Sequence, residues 1–363
     1  MKISVGDLAR DLGLEAIGDL SLEITGAAEP ADAKKGELAL ALNSKFAENL
    51  SDGKAEAAVL WTGADWRGLG LKAAIFAPRA RLALAGVTRT FDRRPQVAPG
   101  IHPTALVSDT AQIGEGAAIG PYVVIGDRVN IGPGARIESH CVISDDTTIG
   151  ANALVHAGAR IMARVTVGDN FICQSGATIG SDGFAFVTPD PGAVEEARAS
   201  GTVTQGAHEG GLVRIYSIGA VVIGDDVEVG ANSCIDRGTV ANTEIGSGTK
   251  IDNMVHVGHN VKVGENCMLC GQVGIAGSSE IGDRCVLGGQ VGVADHVTIG
   301  SDVVAAGKSA ISSHVPPGRV MMGNPAMRMD LNVEAYKALR RLPRTVAKLA
   351  RIEKAVFKDE ESQ

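Results

Sequence analysis

The side chains best suited to chemistry in this 363-residue chain are concentrated between Ile251 and Asn260. This stretch reads Ile-Asp-Asn-Met-Val-His-Val-Gly-His-Asn and contains Asp252, Asn253 and His259. A neutral imidazole can take a proton from an attacking nucleophile near neutral pH, and a neighbouring polar group can orient it. The pattern therefore indicates His259 as a general base, with Asp252 or one of the neighbouring asparagines as the group that orients it.

These residues lie inside a six-residue repeat that runs from Ile101 to about Pro316. An aliphatic residue returns every sixth position, as at Ile113, Ile119 and Ile125. A helix has a period of 3.6 residues and a strand a period of 2, so neither produces this pattern. Three such hexads form one triangular coil of about 18 residues, and about ten coils stack at roughly 4.8 Å in a parallel β-helix. We expect Gly and Asn at corners that need unusual backbone angles.

The coil length relates His259 to a second histidine, His296, which follows it by 37 residues. That separation is two coils plus one residue, so both should project from nearly the same side, about 10 Å apart along the axis. Two histidines at this distance could bracket a substrate but could not share a metal ion, since Zn–N bonds are near 2 Å. Cys267 and Cys270 have CxxC spacing without a second such pair, which favours buried thiols, and we predict no metal.

Segments without the repeat flank and interrupt it. Residues 1–97 alternate strand-like and helical stretches and predict a small α/β domain. The predicted strands are 22–25, 38–42, 57–60 and 73–76, and the predicted helices are 5–12, 44–50 and 79–90. Residues 98–318 form the β-helix, interrupted at 184–217 by a hairpin arm that reaches a neighbour or covers a site. Residues 319–363 are a helical extension that Pro343 should divide into two helices.

Charge and hydropathy exclude several functional classes. The net charge is −8, from 34 basic and 42 acidic side chains, which gives no global sign of nucleic-acid binding. The N-terminus, MKISVGDLAR, has no apolar signal region, and no run of 18 apolar residues occurs. We expect a cytoplasmic protein with at most peripheral membrane contact. The extension is locally basic, which indicates either an acidic partner or an ordinary solvated helix face.

Several stretches together resemble the UDP-3-O-acylglucosamine N-acyltransferases of lipid A biosynthesis, a family of hexapeptide-repeat acyltransferases. The resemblance covers nearly the whole chain. The matching stretches are Leu38–Phe46, Ile179–Phe184, Ile235–Gly238, Ile251–Asn253, Gly258–Asn260, His296 and Gly323–Ala326. Together they are much more specific than the hexads, which many transferases share.

The resemblance implies a homotrimer of left-handed β-helices with active sites between neighbouring prisms. It implies transfer of a 3-hydroxyacyl chain from acyl carrier protein to the 2-amino group of UDP-3-O-acyl-glucosamine. The donor would be a phosphopantetheine thioester on the carrier, and no other cofactor is implied. The basic extension would then dock the acidic carrier protein.

The resemblance also assigns roles to single residues. His259 falls on the proton acceptor, Gly277 on the backbone N–H that faces the tetrahedral oxyanion, and His296 on a histidine near the sugar nucleotide. The resemblance also implies that Asn253, like His296, binds the substrate.

The N-terminal domain of this family binds the uracil, and Asn43 and Phe46 match its motif. Phe46 stands where Tyr is usual, and Leu40 stands where the family has an aromatic. The alternative for Asn43 and Phe46 is a plain turn followed by a core aromatic.

Four other functions remain to be weighed. The related O-acyltransferase has hexads and a catalytic histidine but no leading α/β domain with the Asn43–Phe46 motif. An acetyl-CoA-dependent sugar-nucleotide acetyltransferase is a second enzyme alternative. A structural β-helix should show flat Thr ladders, which the cluster at 251–260 contradicts. A nucleotidyltransferase would need a Gly-rich phosphate loop, which residues 1–97 lack.

Overall fold

The structure is a computed structural model that describes residues 2–93, 97–190, 192–203, 211–323 and 326–356. It divides into two compact units, Met1–Gln96 and Val97–Gln363, one residue from the predicted boundary. Some predictions fall partly outside the described residues. They concern part of the interruption at 184–217, the middle of the closing motif Gly323–Ala326, and the extension beyond Val356.

The N-terminal unit is built on a five-stranded sheet covered on both faces. Its strand order is Glu15–Gly18, Ala73–Phe76, Ala57–Leu60, Glu37–Ala41 and Gly26–Ala28, and only Glu15–Gly18 pairs antiparallel. Every residue of Ala57–Leu60 is buried, as expected for a central strand with a core on each side. A separate antiparallel pair joins Ile3–Ser4 to Glu23–Ile24.

Among the described residues of this unit are three α-helices and one short 3-10 helix. They are α1 (Val5–Leu12), α2 (Ser44–Ala47), the 3-10 helix Leu50–Asp52 and α3 (Ala80–Phe91). The Ser4 hydroxyl caps α1 by accepting the N–H of Asp7 at 3.0 Å, and Gly13 ends it in the left-handed region. The predicted helices and strands are therefore present, and the two edge strands at 15–18 and 26–28 were missed.

The second unit is a parallel β-helix of three sheets, which we name A, B and C in the order in which the chain visits them. Sheet A contains Gly100–Ile101, Ala118–Ile119, Arg136–Ile137, Leu154–Val155, Ile172–Cys173, Glu228–Val229, Lys250–Ile251, Met268–Leu269, Val286–Leu287, Val304–Ala305 and Val320–Met321. Sheet B contains Leu106–Val107, Val124–Ile125, Val142–Ile143, Arg160–Ile161, Thr178–Ser181, Cys234–Asp236, His256–Val257, Gly274–Ile275, Gly292–Val293 and Ala310–Ile311. Sheet C contains Gln112–Ile113, Asn130–Ile131, Thr148–Ile149, Thr166–Val167, Val221–Ile223, Thr243–Ile245, Lys262–Val263, Glu280–Ile281 and Thr298–Ile299.

The predicted aliphatic ladder forms the core of this β-helix. Along the strands the first residue generally faces outward, and the second points inward and stacks on its equivalent in the next coil, as Ile119 does on Ile137. Each fully buried Ile or Val contributes about 1.5–3 kcal/mol relative to exposure. The fold predicted from the hexad period, a parallel β-helix with a small α/β domain and a helical extension, is confirmed.

The corners of the coils adopt left-handed backbone angles more widely than the sequence suggested. Asn152, Asn232 and Asn260 have positive φ, as expected. Tyr122 and Arg128 have φ near +55° as well, and bulky residues rarely adopt such angles. Stacking of one coil on the next therefore imposes the corner angle, and the prediction that Gly and Asn fill these corners is incomplete.

The interruption leaves the β-helix at the corner between sheets B and C. Its two strands, Phe186–Val187 and Val213–Arg214, pair antiparallel, and between them lies helix α4 (Ala193–Ser200). The chain then returns to sheet C at Val221–Ile223. The predicted hairpin arm is present.

The described part of the C-terminal extension that follows the β-helix contains one helix, α5 (Met329–Val356), with Pro343 inside it. The prediction of two helices divided at Pro343 is wrong. Proline removes one backbone donor, but the turns on both sides continue. All of α5 is exposed in this chain. Among the described residues, no helix has the length and apolar character needed to span a bilayer.

Candidate active site

Three of the predicted site residues lie together on the corner between sheets B and C, which we call the B–C corner. His259 follows the strand His256–Val257, and Gly277 and His296 follow the next two strands of sheet B. Backbone hydrogen bonds join the coils: Ser278 N–H donates to His259 O at 2.9 Å, and His296 N–H donates to Gly277 O at 3.2 Å. The corner therefore presents these residues on three successive coils.

The imidazole of His259 has an amide partner that fixes its tautomer. Its Nδ1 lies 3.1 Å from Asn260 Oδ1. That oxygen also accepts the N–H of Thr239 at 3.0 Å, and Asn260 Nδ2 donates to Ala241 O at 2.8 Å. Because both contacts orient the amide with its oxygen toward the ring, Nδ1 carries the proton. The lone pair of Nε2 is then free to accept a proton.

Two glycines confine the ring of His259. A Cβ at Gly277 would lie 2.6 Å from His259 Cε1 and 2.7 Å from Nε2. A Cβ at Gly183 would lie 2.7 Å from His259 Cβ. Both distances are well below van der Waals contact, so any side chain at either position would displace the imidazole. Gly183 immediately precedes the interruption, whose base therefore lies next to the candidate site.

The backbone around Gly277 is consistent with an oxyanion site. Within the described part of the chain, its N–H has no protein acceptor. An unpaired N–H beside a proton acceptor can bind the oxygen of a tetrahedral intermediate.

The interruption is anchored at its base next to this corner. Gly183 N–H donates to Ser217 Oγ at 3.1 Å, which joins the two ends of the arm. The buried Arg237 donates from Nε to Gly180 O at 2.7 Å and from Nη2 to Ala163 O at 3.1 Å. Desolvation lowers the pKa of Arg237 from its ordinary value. These bonds hold Gly183 against His259.

A buried carboxylate lies one coil away from the imidazole. Asp236 Oδ1 accepts the hydroxyl of Ser181 at 2.8 Å, and Oδ2 lies 3.5 Å from His256 Nε2. Burial raises the pKa of Asp236, while the Ser181 hydroxyl and the charges of His256 and His259 act against that rise. Asp236 lies in the matching stretch Ile235–Gly238 but was assigned no role from the sequence, because its spacing does not relate it to His259.

Asp252 and Asn253 lie on a different corner, between sheets A and B, which we call the A–B corner. Asp252 Oδ1 accepts the N–H of Asn253 at 2.7 Å, and Asn253 Oδ1 accepts the N–H of Ala231 at 2.7 Å. In this chain Asn260, and not Asp252, is the partner of His259 Nδ1. A depression runs along the A–B corner, lined in part by Asp252, Asn253 and Lys308.

The candidate uridine motif lies in the N-terminal unit. The Asn43 Oδ1 accepts the N–H of Phe46 at 3.1 Å and so caps α2. Phe46 is 48% exposed and is therefore not a core aromatic, whereas Leu40 is partly buried against the core. The exposed ring is free to stack on a base.

The cysteines are reduced thiols at repeat positions. Cys267 and Cys285 occupy equivalent places in successive coils, and Cys285 N–H points at Cys267 Sγ at 3.4 Å. Cys270 is half-buried on the A–B corner. Among the residues described, no group of three or more His, Cys, Asp or Glu side chains could hold a metal ion.

Comparison with known proteins gives family matches inside the β-helix. The model of bacterial transferase hexapeptides, six repeats long, matches residues 242–277. The model of the GMPPB C-terminal domain matches residues 101–182.

Named relatives match over nearly the whole chain. A UDP-3-O-acylglucosamine N-acyltransferase of Ruegeria pomeroyi is 60% identical over 358 residues, covering 99% of each chain. One of Paracoccus denitrificans is 56% identical over 358 residues, covering 99% of this chain and 98% of the relative. The solved UDP-N-acetylglucosamine acyltransferase of Arabidopsis aligns with a TM-score of 0.51 at 23% identity, over 72% of this chain and 85% of that one. The similarity to the Arabidopsis structure shows a shared fold.

Proposed function

The chain belongs to the UDP-3-O-acylglucosamine N-acyltransferase family, and on that premise we propose that His259 is the general base of its acyl transfer. The chain is an acyltransferase of lipid A biosynthesis. The acceptor is the 2-amino group of UDP-3-O-acyl-glucosamine, and the donor is a 3-hydroxyacyl thioester on the phosphopantetheine of acyl carrier protein. A cytoplasmic location is part of this proposal.

The observation that carries this assignment is the orientation of Asn260. Its amide oxygen faces His259 Nδ1 at 3.1 Å, so Nε2 is left with a free lone pair. A neutral Nε2 takes the N–H proton while the amine nitrogen attacks the thioester carbonyl. A carbon–nitrogen bond forms and the carbonyl oxygen becomes an oxyanion.

The second half of the reaction uses the same groups. The oxyanion accepts the N–H of Gly277, which lies beside the ring. When the intermediate collapses, the carbon–sulfur bond breaks and the imidazolium gives its proton to the departing thiolate. No covalent enzyme intermediate and no metal ion is needed to balance the reaction.

Substrate recognition is proposed at exposed residues of each unit. His296, two coils from His259, would contact the sugar nucleotide, and Asn43 and Phe46 would contact the uracil. Phe46 supports this role because nearly half of it is exposed. Helix α5 would bind the acidic carrier protein.

We further propose that the working unit is a homotrimer with one site between each pair of neighbouring copies. Asp252 and Asn253 would then join the site from the neighbouring chain, since within one chain they lie on another corner. In this arrangement the A–B corner of one copy contributes to the active site of the next copy, which it cannot do within a single chain.

The reaction is tested with purified enzyme, a panel of 3-hydroxyacyl carrier proteins and UDP-3-O-acyl-glucosamine, with the amide product detected by mass. We expect product with at least one donor, and none with UDP-N-acetylglucosamine, whose nitrogen is already acylated. His259→Ala should lower kcat by a factor on the order of 10² to 10⁴. His102→Ala is the matched control, since its Nδ1 bonds only to nearby Thr104.

Amide formation at the wild-type rate by the His259→Ala variant would end the general-base assignment. Failure of every donor would end the proposed reaction as a whole.

A further inference from the structure

The Asp236 carboxylate is placed where it can act on the general base. Asp236 ends the strand Cys234–Asp236, which pairs in parallel with His256–Val257, the strand that leads to His259. Its side chain is only 8% exposed. Ser181 Oγ donates to Oδ1 at 2.8 Å, which fixes the carboxylate, and Oδ2 points toward His256 Nε2 at 3.5 Å.

The titratable groups around Asp236 are few and come from three neighbouring segments. His256 and His259 belong to the next coil, Asp182 follows the strand on the other side, and Cys234 lies on the same strand. The adjacent Arg237 does not neutralise Asp236. Its Nε donates to Gly180 O at 2.7 Å and lies 3.8 Å from Asp182 Oδ1.

Within the described residues, Asp236 therefore has no Lys or Arg partner, and its basic neighbours are the imidazoles of His256 and His259. Burying a carboxylate without a permanent cation is costly, and such groups are retained most often where their charge is used. The positive charge that the proposed mechanism develops on this side of the β-helix is the one on His259.

We propose that Asp236 is a positioning residue for the acyl transfer, whose charge stabilises the imidazolium form of His259 while Asn260 fixes the tautomer. This inference rests on the proposed role of His259. As the proton moves from the amine to Nε2, the ring becomes positive one coil away from a carboxylate held in a poorly hydrated place. An opposite charge nearby favours the charged form of a histidine and makes it a stronger base.

The charge of Asp236 should affect how kcat/KM depends on pH. Activity requires neutral His259, so kcat/KM falls on the acidic side as His259 becomes protonated before substrate binds. A negative charge on Asp236 favours the charged form of a nearby imidazole, so in this proposal it places the acidic limb of kcat/KM at higher pH. Removing the charge should move the limb to lower pH and also lower the plateau, because the base is weaker.

The experiment measures kcat/KM against pH for Asp236→Asn. Asparagine has the same shape and keeps an oxygen for the Ser181 hydroxyl, so the substitution removes mainly the charge. We expect the acidic limb to shift down by roughly 0.5–1 pH unit and kcat to fall about tenfold, with both KM values nearly unchanged. The amine of the acceptor titrates identically in every variant, so a difference in the limb belongs to the enzyme.

The matched control is Asp302→Asn, which removes an exposed carboxylate that pairs with Arg284 at 2.7 Å. Its pH profile should equal that of the wild type. Ser181→Ala is a second variant in case Asp236→Asn loses thermal stability. Without the hydroxyl, Asp236 keeps its proton to higher pH, so the limb should shift in the same direction by less.

A direct readout is the pKa of His259 from its ring-proton NMR resonance in the full-length enzyme, which should fall in Asp236→Asn. An unshifted limb and an unshifted resonance in a folded Asp236→Asn would overturn the inference. An active His259→Ala would instead overturn the general base itself, so the two failures are distinguishable.

Discussion

The imidazole of His259 is oriented by an amide and confined by two glycines. Asn260 is itself fixed by backbone groups of Thr239 and Ala241. A neutral amide sets the tautomer of the ring but raises its basicity little. The negative charge that stabilises the imidazolium form must therefore come from another group. Orientation and charge are thus assigned to different residues, Asn260 and Asp236, and can be separated by mutation.

Adding one methyl group beside the ring should disturb the reaction without unfolding the chain. In Gly277→Ala the new Cβ would lie 2.6 Å from His259 Cε1, so the ring must move. A displacement on the order of 1 Å of a reacting group costs about 100-fold in rate. We expect that loss in kcat for Gly277→Ala and for Gly183→Ala, measured with saturating substrates, while the thermal midpoint changes little.

The control for this pair is Gly292→Ala on the same sheet, where an added Cβ meets nothing within 4 Å. It should retain wild-type kcat. If Gly277→Ala is as active as Gly292→Ala, the imidazole is not confined as described.

At the scale of single residues, part of the candidate site was predictable from the sequence. The coil length of about 18 residues was enough to place His259 and His296 on nearly the same side, whereas Gly277 came from the family resemblance. Asn260 could have been found from its adjacency to His259, but an asparagine is also the ordinary choice for a left-handed corner. Gly183 and Asp236 belong to earlier coils, and their approach to His259 depends on how the interruption returns to the β-helix.

At the scale of elements, α5 combines exposure with positive charge. Arg340, Arg341 and Arg344 lie on it, and every described residue of the helix is exposed. Exposed charges of one sign speed encounter with an oppositely charged partner and lose that effect in salt.

Charge reversal in α5 should therefore act on the carrier-bound donor alone. For Arg340→Glu/Arg341→Glu we expect KM for the acyl carrier protein to rise about tenfold at low salt, with KM for the UDP-sugar unchanged. Arg81→Glu/Arg89→Glu on α3 is the control, since both arginines are exposed on a helix of the other unit. Equal KM values for the two double variants, or an effect that persists in high salt, would contradict a docking role for α5.

The elements themselves were predictable where one period dominated. Hexads specify the strand, its inward residue and the next corner together, so local and tertiary signals agree. The edge strands Glu15–Gly18 and Gly26–Ala28 were missed because short segments with Gly and Ala carry little strand preference. The break expected at Pro343 did not occur because proline weakens a helix by one turn and does not by itself end it.

At the scale of the whole molecule, the β-helix residues that the family resemblance assigns to one active site are divided between two corners. His259, Gly277 and His296 lie on the B–C corner, and Asp252 and Asn253 lie on the A–B corner. A rotational arrangement of identical chains can place different corners of neighbouring copies against each other. The hexad period implies this division, since residues seven positions apart fall on successive corners, but a linear reading groups Asp252 and His259 in one cluster.

Mixed assemblies test whether one site uses two chains. We expect His259→Ala and Asp252→Ala to be nearly inactive alone and to regain activity when differently tagged chains are co-expressed and assemblies carrying both tags are isolated. In a mixed trimer one of the three interfaces would combine an intact His259 with an intact Asp252, so about one third of wild-type activity should return. The control mixes His259→Ala with Gly277→Ala, whose lesions share a corner of the same chain and should not complement. If the first mixture stays at the level of its parents while the Asp252→Ala chain is inactive, both residues act within one copy and the shared site is refuted.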